Sequence, residues 1–336
     1  MLKERLPSIW KYAVVTNDTV YRIHGEKLMK ALDAANIDIG LTLVPDGEEA
    51  KSWSSTKQLM EELIDLGLDR RSAVIAFGGG TVGDLSGFVS SIFLRGISFV
   101  QVPTTLLAQV DSSIGGKAAI NHPRGKNLIG SFHQPALVVS DTDLTITLSK
   151  MELISGLGEV VKYGVIADSD LFNIMEEKCD RLVDADLDLL TNVVRRCVEI
   201  KARFVEQDER DTKGIRASLN YGHTLGHVLE YFVKLELRHG EAIAIGMIVA
   251  ANISERLGLM EADDVARQEM LLKKIGFRIQ LRDLDLKELI EAMHRDKKST
   301  GGSINFVLPT GIGHPPILRT IPDRLMSQVM EDMGFG

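Results

Sequence analysis

Five short apolar runs, at residues 13–16, 38–44, 73–77, 98–102 and 136–139, alternate with longer segments of helical period through the first half of the chain. Runs this short and this apolar need both faces covered, and helical crossovers between them supply the cover, so the pattern predicts a parallel sheet with helices on both sides. Beyond about Leu148 the pattern changes to long helical periods, as at 171–183 and 189–205, and the next strand signal comes only at 304–308. A chain of 336 residues exceeds what one core usually serves. We therefore expect an α/β domain over 1–148 and a mostly α-helical domain over 149–336. No repeat or Pro/Gly/Ser-rich tract separates them, so a packed junction is expected, with a cleft between the domains as the default ligand site.

The strand-like AVIAF runs directly into Gly78, Gly79, Gly80, Thr81, Val82, Gly83 and Asp84, which satisfies GxGxxG at a strand-to-helix turn. Glycines there admit a pyrophosphate and the helix start offers amide donors, so the first domain reads as a Rossmann-like nucleotide binder. The acid usually found about twenty residues later is missing, because the next strand leads into Gln101, Val102 and Pro103. Other polar groups stand at neighbouring strand ends: Asp46, Gly47, Glu48 and Lys51 after one, Thr104 and Thr105 after another. Three such groups at the carboxyl ends of adjacent strands form a nucleotide site of a different kind.

In the helical half, GLGEVVKYG, LNYGHTLGHVLE and HGEAIAIGM carry Glu159, Lys162, His223, His227, His239 and Glu241. Glutamate with histidine suits zinc or a similar divalent ion. By spacing, His223 and His227 lie one helical turn apart and form the first candidate pair, while His239 and Glu241 both remain open to complete the site. Lys162 shares a helix face with Glu159. Cations also stand at Lys201, Arg216, Lys297 and Lys298, and between residues 95 and 130 Arg95, Lys117, Arg124 and Lys126 face the single acid Asp111. The chain as a whole carries a net charge of −8, which argues against nucleic acid as partner and makes this basic stretch suited to a small anion.

Charged residues make up 26% and hydrophobic residues 44%, a globular composition. Cys179 and Cys197 form no CxxC pair and are expected to be reduced thiols. MLKERLPSIWKY has charges where a signal peptide needs an apolar run, and the most apolar stretch, 242–253, is too short to span a bilayer, so no membrane association and a cytoplasmic location are expected.

The segments GGGTVGDLSGF, VPTTLLAQVDSSIGGKAAIN, GKNLIGSFHQP, GLGEVVKYG, LNYGHTLGHVLE, LRHGEAIAIGM and RDKK, in this order from about Asp46 to Lys298, resemble the 3-dehydroquinate synthase family. The resemblance implies a dehydroquinate synthase-like fold, with NAD and a divalent metal, zinc or cobalt, as cofactors. It implies Glu159, His223 and His239 as metal ligands. It implies NAD contacts at Asp46, Glu48, Lys51, Gly80, Asp84, Thr104, Thr105, Lys117, Lys126 and Thr147. The substrate site it implies uses Asp111, Lys117, Asn127, Lys162, Lys201, Arg216, Asn220, His227 and Lys298, and Arg95 would reach a neighbouring subunit's site in a homodimer.

The implied substrate is 3-deoxy-D-arabino-heptulosonate 7-phosphate and the implied products are 3-dehydroquinate and phosphate, in the shikimate pathway. Hydride transfer to NAD+ acidifies a neighbouring C–H, phosphate leaves, the hydride returns, and ring opening with aldol closure forms the carbocycle. Ser149 and Met151 depart from the family's PxRE run, and Gly158 stands where alanine is usual. Three rival readings are a sibling sugar phosphate cyclase (2-deoxy-scyllo-inosose or valiolone type), a metal-dependent glycerol or alcohol dehydrogenase, and a nucleotide-binding regulatory module.

Overall fold

A computed structural model describes residues 2–231, 237–279, 285–297 and 303–335. The chain divides into two compact units, Met1–Ser149 and Lys150–Gly336. In the first, β1 (Lys11–Asn17), β2 (Asp38–Val44), β3 (Ser72–Gly78), β4 (Ser98–Pro103) and a two-residue strand, Leu137–Val138, form a parallel sheet. Its order is β2-β1-β3-β4 followed by that short strand.

Alternation along the strands divides the core. Ala13, Val15, Val74 and Ala76 point to a layer shared with Leu59 and Leu63 of α2 (Trp53–Asp65) and with Val82, Leu85 and Val89 of α3 (Gly80–Ile92). Tyr12, Val14, Ala73, Ile75 and Phe77 point to the other face, which α1 (Glu26–Ala34) covers with Leu32. With β3 buried along its whole length, period-2 polarity is absent there and the strand reads as a continuous apolar run.

An antiparallel hairpin of β5 (Lys117–His122) and β6 (Gly125–Phe132) completes this unit. The apolar runs did not foresee it. It packs on α3, where a Cβ at Gly87 would lie 2.9 Å from that of Ala118. Ala118 and Ile120 bury in the α2–α3 layer. The short strand Leu137–Val138, β7 in chain order, is narrower than the run at 136–139.

In the second unit the helices are α4 (Lys150–Ala167), α5 (Ser169–Val183), α6 (Leu187–Gln207), α7 (His223–Tyr231), α8 (His239–Arg256), α9 (Ala262–Ile275), α10 (Leu286–Lys297) and α11 (Asp323–Asp332). An antiparallel pair, β8 (Ser303–Leu308) and β9 (Ile317–Pro322), joins them. The run at 304–308 anticipates β8; β9 escaped notice because five of its six residues are exposed and leave no apolar face.

Aspartates start two helices: Asp168 Oδ1 accepts from Leu171 N (3.0 Å) and Asp186 Oδ1 from Leu189 N (3.1 Å). At the centre, α8 lies against α4 and α7 at backbone distance. A Cβ on Gly240 would fall 2.1 Å from Ser155 O, and one on Gly246 1.9 Å from Gly222 O, so only glycine permits either approach. Cys179 and Cys197 are buried on α5 and α6, and neither is in a disulfide. No helix among the described residues is long and apolar enough to cross a membrane.

Candidate active site

The close packing of α8 brings Glu159 from α4, His223 from the start of α7 and His239 from the start of α8 together. One ligand atom from each lies within 4.8 Å of the others. Glu159 is fully buried; its Oε1 lies 3.0 Å from His239 Nε2 and 3.4 Å from His223 Nε2, and Lys162 Nζ sits 2.5 Å from Oε2. Burial alone would raise the Glu159 pKa, but the Lys162 ammonium and His223 outweigh it and hold the carboxyl well below its ordinary value. It is a carboxylate.

Each histidine is fixed through its second nitrogen. His223 Nδ1 donates to Tyr221 O (3.0 Å), which leaves Nε2 to face the carboxylate. Tyr221 is itself anchored: its hydroxyl donates to Met247 O (3.0 Å) and accepts from Gln268 Nε2 (2.9 Å). His239 Nδ1 meets Glu230 Oε1 at 2.6 Å. Burial pushes its pKa down, yet the two glutamates overcome that and lift it to about 10, so without metal the ring is an imidazolium that donates from Nε2 to Glu159 and from Nδ1 to Glu230. A carboxylate and two imidazole Nε2 atoms converging on one point, each oriented from behind, fit a divalent ion with room for a further ligand.

Glu241, the alternative left open by spacing, is used elsewhere: it accepts from Arg238 N (3.0 Å) and caps α8. His227 stands edge-on to His223, ring centroids 5.1 Å apart, outside the three-residue cluster. Lys201 is buried on α6. Arg216 is buried in the turn Ile215–Asn220, which packs against both α4 and α6, and its Nη1 donates to Glu209 O (2.9 Å). Asp208 shapes the approach to that turn by accepting from Thr212 N (2.8 Å), Lys213 N (3.1 Å) and Ile215 N (3.1 Å). Asn220 is exposed at the turn's end. Lys298 lies outside the described residues, as do the surroundings of the Lys297 side chain.

In the first unit, Lys51 joins three segments. Its buried Nζ donates to Asp84 Oδ2 (2.6 Å) in the first turns of α3 and to Asn127 Oδ1 on β6. Asn121 N donates to Lys51 O (2.8 Å), Asn121 Nδ2 to Glu48 Oε2 (2.6 Å), and Asn127 N to Asn121 Oδ1 (3.0 Å). Gly80 faces Ser112, where a Cβ would come within 2.9 Å of the hydroxyl, and Thr104 N donates to Gly78 O (2.9 Å). Thr105 Oγ1 accepts from Ala108 N (3.2 Å) at the start of the turn that carries half-buried Asp111. Lys117 and Lys126 sit at the starts of β5 and β6. Arg95 is exposed in a turn where Leu94 (φ 50°), Arg95 (φ 70°) and Gly96 (φ 114°) are all left-handed.

Sequence reasoning missed three supporting residues here. Asn121 ties Glu48 to the hairpin. Thr19 Oγ1 donates to Asp46 Oδ2 (3.1 Å). His24 Nε2 donates to Thr147 Oγ1 (2.8 Å), since the single Thr147 hydroxyl proton goes to Leu144 O (3.2 Å). Thr19 and His24 belong to the helical turns after β1, opened by Asn17, whose Oδ1 accepts from Val20 N (2.9 Å); the TND after the first apolar run was the available signal.

Residues 41–155 match the family described as 3-dehydroquinate synthase N-terminal, and residues 156–299 match 3-dehydroquinate synthase C-terminal. A 3-dehydroquinate synthase of Pelobacter propionicus is 46% identical over 318 residues, covering 94% of this chain and 88% of that protein. Among solved structures, a 2-deoxy-scyllo-inosose synthase complexed with carbaglucose-6-phosphate, NAD+ and Co2+ aligns with a TM-score of 0.87 at 28% identity, covering 97% of this chain and 91% of its own. A 2-epi-5-epi-valiolone synthase from Streptomyces hygroscopicus subsp. jinggangensis aligns with a TM-score of 0.90 at 24% identity, covering 97% and 92%, and so shares the fold.

Proposed function

The chain belongs to the 3-dehydroquinate synthase family, and from that premise we propose that it converts 3-deoxy-D-arabino-heptulosonate 7-phosphate into 3-dehydroquinate and phosphate, with NAD and a divalent metal as cofactors. The observation that carries the reading is the convergence of Glu159, His223 and His239 on one point beside the Lys162 ammonium. Glu159, His223 and His239 would hold the ion, which would supply acidity to a substrate hydroxyl, and NAD+ would supply a reversible hydride acceptor, so the net reaction would consume no oxidant.

The chain's own groups do the rest. Lys162 keeps Glu159 ionised, and Tyr221 O and Glu230 hold the two imidazoles in place. Lys162, Lys201 and Arg216, all buried, supply fixed positive charge for a substrate with a carboxylate and a phosphate. His227, Asn220 and Lys298, with Asp111, Lys117 and Asn127, complete the substrate contacts in this reading. Asp46, Glu48, Lys51, Gly80, Asp84, Thr104, Thr105, Lys117, Lys126 and Thr147 serve the nucleotide, the first unit being the NAD domain and the second the metal and substrate domain. Arg95 serves a second copy's site in a homodimer, acting in the cytoplasm.

Identity favours this activity over the sibling cyclases: the synthases of this name reach 46%, against 24–29% for the cyclase structures. Purified protein with NAD+, a divalent metal and the heptulosonate phosphate is expected to release inorganic phosphate with no net NADH. Absence of phosphate release with metal bound would overturn the assignment, and stoichiometric NADH would favour a dehydrogenase.

A further inference from the structure

A cavity of about 400 Å³ lies at the corner where α4 passes into α5, lined by Ala167, Asp168, Arg195, Arg196, Glu199, Ile200 and Arg203. Its volume falls in the range of small-molecule sites. Three of the lining residues are arginines on one helix, α6, in a chain of net charge −8. None belongs to the site described above.

The three are not equivalent. Arg196 Nη1 donates to Asp168 Oδ2 at 2.8 Å, while the other oxygen of Asp168 caps α5 through Leu171 N. Asp168 is thereby committed on both oxygens, and Arg196 is fixed in the wall. Its Nε is buried and lacks a hydrogen-bond partner, an unspent donor that normally finds an acceptor or a water. Arg195 and Arg203 lie four residues before and after Glu199, a spacing that permits ion pairs in both directions, yet among the described residues neither forms one within 4.0 Å. Three guanidiniums against two carboxylates leave the cavity positive, and the guanidinium fork matches phosphate oxygens in pairs.

We propose that this cavity is a second anion site, separate from the metal cluster, which takes a small phosphate-bearing dianion between Arg195 and Arg203, with Arg196 as the preset wall. Ile200, which lines it, immediately precedes the buried Lys201 on α6.

The test is equilibrium dialysis of the metal- and NAD-loaded protein against labelled inorganic phosphate, comparing wild type with Arg195→Gln/Arg203→Gln. The double variant should bind one equivalent fewer per chain than wild type, or bind that equivalent at least tenfold more weakly, while the remaining equivalents are unchanged. The comparison is a difference, so it does not depend on whether the catalytic site also holds phosphate. Arg181→Gln/Arg256→Gln removes the same charge outside the cavity and should bind like wild type. Equal binding by wild type and the cavity variant overturns the proposal. So does an equal loss in both double variants, which would reduce the effect to net charge. Succinate displacing the lost equivalent as well as phosphate does would overturn the phosphate preference.

Discussion

His239 carries a carboxylate on each ring nitrogen, and its two glutamates raise its pKa from 6.5 to about 10. Without metal, the stabilisation from this charged imidazole is complete below about pH 6.5 and is lost as pH rises through about 10. A metal ion takes the place of that proton, so between these limits its uptake should release about one proton per site. Calorimetric titration of metal in buffers of different ionisation enthalpy reads the number directly, and a value of zero would contradict a protonated His239 ring. His239→Ala should lower metal content and turnover together. Glu230→Gln leaves all three ligands and weakens only the support, so metal affinity should fall about 10- to 100-fold. In the first unit, His24→Ala should weaken NAD binding because the Thr147 hydroxyl loses the donor that orients it. If Thr147→Ala weakens NAD binding and His24→Ala does not, His24 has no such role.

The three ligands meet because helices meet. Gly240→Ala puts a methyl group where Ser155 O already lies, so α4 and α8 must part, at a cost of about 1–3 kcal/mol or more, and metal affinity should drop with the melting temperature. A variant that melts lower but binds metal unchanged would show that Glu159 and His239 do not depend on this contact. Elements also explain what the sequence did and did not disclose. The strands β1, β3 and β4 were legible because burial on both faces gives each an apolar run, and the edge strand β2, with Leu43 exposed, because Ile39, Leu41 and Val44 keep it largely apolar. The β5–β6 hairpin was not, since β6 has no buried residue and mixes Lys126, Asn127, Ser131 and two glycines with its apolar residues, and Lys51 reaches Asn127 on it across 76 residues. Glu159 and His239, 80 residues apart, show the same limit: residue types suggested a metal site, spacing favoured His223 with His227, and family motifs were needed to choose His239. The capping role of Glu241, which removes it from contention, is visible only once α8 has a beginning.

For the whole molecule, the proposed reach of Arg95 into a second copy's site would make activity a property of an assembly. Arg95→Ala should lose turnover and regain it when mixed with Lys162→Ala chains, because one site in the mixed dimer would then be intact; full activity from Arg95→Ala alone would refute sharing. The exposed turn that presents Arg95 holds Leu94 and Arg95 in left-handed backbone, a conformation that costs energy in non-glycine residues. The glycine contacts at Gly240 and Gly246 let α8 approach α4 and α7 to backbone distance, so the spacing of the candidate ligand cluster depends on two positions that carry no ligand. A larger residue at either glycine would therefore reach the candidate metal site without touching any of its three side chains.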